Sequence, residues 1–219
     1  MPARAALLAL MLLLLAAAPA PDERLPAWDQ WHTNEGNQTI RTLRAFGNCA
    51  VRVRAAAVAA LLASGPGSAA ESAAVAALVE GENHPCVYQT TRMTFRSRPV
   101  LRGIVAEFAY NGGHPDRHGL EPRPFAPGDG AGAGQWPDAP DWNRGRRLAA
   151  CTVHRDPREV HALIGFNHDS PGETRSLRAL RPAMLACLPE GGPLTLSRLA
   201  IRAMLAEALF HFARGEPSI

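Results

Sequence analysis

The sequence contains an internal duplication anchored on its cysteines. Placing Cys49 over Cys151, an offset of 102, aligns Val58 with Val160 and Leu61-Leu62 with Leu163-Ile164. At the same offset Ser68 meets Ser170, Glu71 meets Glu173, and Val75 and Leu78 meet Leu177 and Leu180. One short gap brings Cys86 onto Cys187, and a second aligns Ser97-Arg98 with Ser197-Arg198, Arg102 with Arg202, and Ala106-Glu107 with Ala206-Glu207. Tyr110 then meets Phe210. A period near 100 residues is too long for a solenoid array, so the chain reads as two copies of one small unit.

Each copy reads as three helices. Asp156 before Pro157 is an N-cap followed by proline at the first helical position. Ser68 with Glu71 and Ser170 with Glu173 have capping-box spacing, in which serine accepts an N–H three residues on and glutamate reaches back. Apolar stripes continue through Val75, Leu78 and Val79, and Gly81 and Arg181-Pro182 read as stops of the second helices. The third helices run from 97 to about 110 and from 197 to about 212, with stripes Leu101, Ile104, Val105, Phe108 and Ile201, Met204, Leu205, Leu209. These are core stripes. Val51 and Val53 alternate with arginines, and Thr195-Leu196 precedes the last helix, so the pattern allows a short strand pairing there. The expected fold is mainly α, two duplicated three-helix units joined by a Pro/Gly-rich linker.

The helix plan selects the disulfides. Two helices of similar length joined by a short loop form an antiparallel hairpin. Cys49 and Cys151 precede the first helix of their copies, and Cys86 and Cys187 follow the second. The pairing is therefore Cys49–Cys86 and Cys151–Cys187. Each closes a loop that contributes roughly 3–4 kcal/mol by the chain-entropy model, which matters for units whose cores are marginal in size. A zinc site from four cysteines would need closely spaced pairs, and these are absent.

Disulfides require an oxidising compartment, and the N-terminus supplies the route. A short n-region with Arg4 is followed by an apolar run over 5–15 and a small-residue stretch over 16–20. That is the plan of a secretory signal peptide, cleaved near Ala18 or Ala20. The run is too short for a bilayer-spanning helix, which needs roughly 20 residues, and no membrane span is expected after its removal. Domains follow as 1–20 signal peptide, 21–110 lead and first repeat, 111–146 linker, and 147–219 second repeat. All 23 basic residues are arginine, which with abundant Ala, Gly and Pro suggests a GC-rich bacterial coding bias. Removing Arg4 lowers the formal charge from +3 to +2, too mild a balance to point to nucleic acid. The location expected is periplasmic or secreted.

The linker, rich in Pro, Gly, Ala and Asp, reads as a disordered loop. It holds Trp136 and Trp142, while Trp28 and Trp31 lie in the N-terminal lead. Packing against the domain is the preferred reading for these tryptophans, and partner contact is the alternative.

No nucleophile elbow, H-E-x-x-H or phosphate-binding glycine loop occurs. No catalytic residue, cofactor or metal site is expected. His154, His161 and His168 recur every seven residues, but copy one has Arg52, Ala59 and Pro66 in their places. They are read as surface or capping residues. The best polar constellation is the duplicated Arg98, Arg102, Glu107 and Arg198, Arg202, Glu207. Glu107 lies about 140 degrees round the helix from Arg102, so the two do not pair within it. The preferred reading is that these residues tie the third helix to its own hairpin. The alternatives are a pair between Glu107 and an arginine of copy two, and an anion site made of paired arginines.

The pattern FGNCAV…SRPVLRGIVAEFAY, echoed by CTVHRDPREVHALI…LSRLAIRAMLAEALF, resembles exported proteins of unknown function in alphaproteobacteria such as sphingomonads. The resemblance covers most of the mature chain and implies a compartment and a source, with no activity attached. The function expected is that of an exported, non-enzymatic structural or interaction module acting on an unidentified protein or envelope partner. The alternative is an envelope-associated hydrolase or enzyme accessory.

Overall fold

The computed structural model describes residues 34–80, 85–86, 97–113, 120–125, 134–189 and 193–216. Among them are eight helices and no strand. Copy one contains α1 (Asn34–Val53), α2 (Ala55–Ala63), α3 (Ala69–Val79) and α4 (Arg98–Gly113). Copy two contains α5 (Pro140–Arg155), α6 (Pro157–Gly165), α7 (Pro171–Ala186) and α8 (Arg198–Ala213). The two halves pack as similar units, each a four-helix unit rather than the three-helix unit expected from sequence.

The extra helices are α1 and α5, which carry Cys49 and Cys151 inside them. Helix α5 begins within the stretch read as linker. The arginines at 144, 146 and 147 in its first half obscure an inner face of Leu148, Ala149, Thr152 and Val153, all buried at helical spacing. In copy one α1 turns by 105° into α2 at Arg54, and in copy two α5 gives way to α6 at Asp156, which stands at the same offset of 102. Val51 and Val53 belong to α1, so the strand pairing is not formed. The 193–197 stretch keeps the alternation of a strand, with Leu194 and Leu196 buried and Thr195 exposed, but has no ladder partner among the described residues.

The hairpins behave as their caps predict. Ser68 and Ser170 accept the N–H of Glu71 and Glu173 at 3.0 and 3.1 Å. The glutamates, however, reach one residue further back than a capping box requires, to Gly67 N at 2.9 Å and Asp169 N at 2.7 Å. The cap residues' own N–H groups are already used, donating to Gly65 O and Asn167 O. Pro182 does not stop α7. It sits exposed inside the helix, which runs on to Ala186. The carbonyl four residues back loses its bond on the solvent side, where water can replace it. The stop expected at Gly81 lies outside the described residues, and α3 ends just before it at Val79.

Both disulfides form as expected, with Cα–Cα distances of 5.5 Å for Cys49–Cys86 and 5.7 Å for Cys151–Cys187. They suit an oxidising location. Among the described residues no single helix is long and apolar enough to cross a membrane.

The copies meet along α4 and α8, the most extensive helix pair among the described elements. Their closest approach is Gly103 against Ala203, two residues equivalent under the duplication. A Cβ on Gly103 would lie 2.2 Å from the Ala203 carbonyl oxygen. Glycine is thus required to let the backbones touch. Side chains cross this seam in both directions. Tyr110 of α4 joins the core of copy two, and Phe210 of α8 packs on the core of copy one.

Described pieces of the linker are also docked. Leu120 is buried in the core of copy two, Arg123 N donates to His154 O at 2.9 Å, and the Arg123 guanidinium covers the Phe212 ring. Further on, Trp136 is buried and its Nε1 donates to Glu71 of copy one at 3.2 Å. Trp142 packs partly buried against the core of copy two. Trp28 and Trp31 lie outside the described residues.

Candidate functional site

The polar residues singled out from sequence converge at the α4–α8 seam. Arg102 points inward from α4 and is fully buried. Its NH1 donates to Leu61 O at 2.8 Å and Ser64 Oγ at 3.1 Å, and lies 3.5 Å from Glu71 Oε1. Its Nε and NH2 donate across the seam to Glu207 Oε1 at 2.8 and 2.6 Å. Arg202 mirrors it from α8. It donates to Leu163 O at 3.1 Å and Glu173 Oε1 at 3.0 Å within its own copy. Across the seam it forms a two-pronged contact with Glu107, at 3.0 and 2.9 Å.

The tie to the own hairpin and the pair across the copies, weighed as alternatives in the sequence, are therefore made by the same guanidinium. Such two-pronged pairs are the strongest and most directional of the common charge-assisted bonds. Glu107 does not bond to Arg102 of its own helix, as the helix geometry required.

Electrostatics match the geometry. Burial opposes the charge of Arg102, but Glu207 and then Glu71 outweigh it and hold its pKa above the ordinary value. Burial likewise opposes the charge of Arg202, and Glu107 with Glu173 raises it. For Glu207, burial favours the neutral acid, yet Arg102, Arg146 and His211 hold the carboxyl below its usual range.

Four members of the network were not picked as site residues from sequence. Glu71 and Glu173 were read only as caps. Each also faces its copy's arginines, so one carboxylate starts a helix and anchors the seam. Arg44 donates to Glu107. Arg146 lies over the Trp136 ring and donates to Gly134 O at 3.3 Å. Burial pushes the pKa of Arg146 down, with Glu207 and Glu71 working the other way. Arg44 and Arg146 stand at the same offset of 102 as the cysteines, five residues before each. Extending the alignment upstream of Cys49 would have found them.

Arg98 and Arg198 occupy the outer edge. Arg198 is buried, donates to Glu173, and reaches Thr174 Oγ1 at 3.0 Å. Arg98 is 44% exposed at its side chain, donates to Ser72 Oγ at 2.9 Å and lies 3.6 Å from Glu71. Ser72 and Thr174 are themselves equivalent positions. Ser197 caps α8 by accepting Ala200 N at 3.2 Å, whereas Ser97 Oγ is buried without a hydrogen bond among the described residues.

The histidines are placed differently from their reading. His154 lies in α5, its Nδ1 3.1 Å from Pro124 O. His161 of α6 shares a 2.8 Å hydrogen bond with the Tyr110 hydroxyl across the seam. Burial pushes the Tyr110 hydroxyl up to about 12. His168 stands in the turn before α7, where it, Asp169 and Glu173 bring ligand atoms within 4.8 Å of one another. Comparison with known protein families, curated proteins and solved structures finds no match for this chain.

Proposed function

We propose that the chain is an exported, non-enzymatic structural or interaction module, periplasmic or secreted, that acts on a protein or envelope partner. The observation that carries this reading is how its central polar groups are used. Arg102, Arg202, Glu107 and Glu207 bond to one another across the copies and are buried. Catalytic groups converge instead on a point that a reacting atom can occupy. The two disulfides support export, because they persist in oxidising compartments. The signal sequence read over 1–20, cleaved near Ala18 or Ala20, supplies the route.

The test has two arms. The full chain is expressed with a C-terminal tag in a bacterial host, then fractionated and sequenced from its mature N-terminus. Envelope or medium location with a start near residue 19 or 21 is expected, and an unprocessed cytoplasmic chain would refute export. Envelope partners are then trapped by cross-linking and the pair rebuilt from purified components. The reading predicts a saturable complex and no turnover of ester, peptide or glycan substrates. Turnover that a single substitution abolishes would replace it with the hydrolase reading.

A further inference from the structure

The duplication provides an internal control for every feature outside the shared network, and one corner of copy two fails that control. In both copies the turn before the hairpin's second helix has a residue of positive φ whose N–H bonds the capping glutamate. In copy one this residue is Gly67, at φ 75°, preceded by Pro66. In copy two it is Asp169, at φ 59°, preceded by His168. Glycine adopts this conformation without a Cβ penalty, and Asp169 is the one non-glycine residue with positive φ among those described.

What copy two gains there is a set of ligand atoms. The His168 side chain is only 7% exposed, and neither of its buried ring nitrogens has a hydrogen bond among the described residues. Asp169 Oδ2 approaches Nδ1 to 3.1 Å and Glu173 Oε1 lies 4.0 Å from Nε2. The ring nitrogens thus face two carboxylates at ion-pair distance with no hydrogen bond formed to either, and a neutral imidazole keeps one nitrogen lone pair to offer a cation. Glu173 also carries Arg202 on Oε1 and Arg198 on Oε2. A carboxylate oxygen has two lone pairs, so Oε1 can serve Arg202 and still face a further cation. Asp169 adds the negative charge that copy one lacks.

We propose that His168, Asp169 and Glu173 form a divalent transition-metal site present in copy two alone. One imidazole and two carboxylates suit Zn²⁺ better than the all-oxygen sets of Ca²⁺ or Mg²⁺. Water would complete the coordination. The site ties the turn to α7 and lends the second copy a property the first does not share.

Copy one itself supplies the test variants, His168→Pro and Asp169→Gly, with His168→Gln as a replacement should the proline variant fail to fold. The disulfide-bonded full chain, stripped with chelator, is titrated with Zn²⁺ by calorimetry and with Co²⁺ by visible absorption. One equivalent should bind. Each variant should weaken binding by at least the roughly 10–100-fold that follows loss of a group supporting a metal ligand. Without metal, Asp169→Gly should melt no lower than the parent, because glycine suits the backbone, while losing the rise in melting temperature that Zn²⁺ gives the parent. A purely structural Asp169 would not separate these two readouts. Absence of saturable Zn²⁺ binding, or equal affinity in parent, His168→Gln and Asp169→Gly, would overturn the proposal, as would Mg²⁺ or Ca²⁺ binding that ignores His168.

Discussion

The α2–α3 hairpin of copy one and the α6–α7 hairpin of copy two share a skeleton and differ in their outer faces. Inside they agree: Leu61 and Leu163, Leu78 and Leu180, and Glu71 and Glu173 are buried in equivalent places. Outside, copy one exposes alanine after alanine, and the only charged residue between Ala55 and Val79 is the buried Glu71. Copy two exposes Arg158, Arg175 and Arg178 over the matching stretch. The fold therefore depends on the inward set, including its charges, and leaves the outer faces free to diverge. A charged residue shared by both copies belongs to the architecture. One present in a single copy belongs to whatever that copy does.

The largest effects should come from breaking the shared set. Arg102→Met and Arg202→Met each strand buried carboxylates, and each should cost about 3–5 kcal/mol in urea unfolding, as loss of one partner of a buried pair does. Near-equal losses would extend the duplication from geometry to energy, and a loss below 1 kcal/mol for either would break it. The paired substitutions Cys49→Ser with Cys86→Ser, and Cys151→Ser with Cys187→Ser, come next, at about 2–5 kcal/mol each. The two bonds span 37 and 36 residues, so similar losses are expected.

A smaller effect separates the copies by pH. His211 is buried, and burial first of all lowers its pKa, with Arg102 adding to the shift and Glu207 and Glu216 opposing it. The unfolded chain takes up that proton near pH 6.5. Stability should therefore begin to fall as pH drops below about 6.5 and keep falling until the folded pKa is passed. His211→Asn, which installs the residue of copy one at position 111, should remove that slope from melting curves. A second fall, below the ordinary glutamate range, belongs to Glu207, whose depressed pKa makes its contribution disappear only in acid. The smallest effect tests the outer face: Arg175→Ala and Arg178→Ala, which copy Ala73 and Ala76, should change stability by less than about 0.5 kcal/mol.

What could be read from the sequence was what local chemistry decides. Serine caps, the proline after Asp156 and the apolar stripes of α4 and α8 announce themselves within a few residues. The disulfides followed because two hairpin helices bring their far ends together. The helices α1 and α5 were missed for a different reason. An arginine in sequence looks like a solvated face, and Arg146 is buried only because Trp136 and the seam cover it. Glu71 and Glu173 were seen as caps because that bond is three residues long. Their second bonds, to Arg102 and Arg202, span about thirty residues and depend on tertiary packing. The same applies to the pairs across the seam. The helix geometry showed that Glu107 needed a partner elsewhere, but not that Arg202 would serve two glutamates at once.

The crossed pairs at Gly103 and Ala203 repeat the contact that two identical subunits make about a two-fold axis, where each presents the same patch to the other. In an assembly of separate subunits such a contact weakens on dilution, because the partner must be found anew. Here both patches lie on one chain and the partner is always at hand, at an effective concentration set by the tether. The symmetric assembly is therefore first-order in protein. Its melting temperature should be the same at micromolar and nanomolar protein, and one molecule alone in a large volume keeps both of its halves.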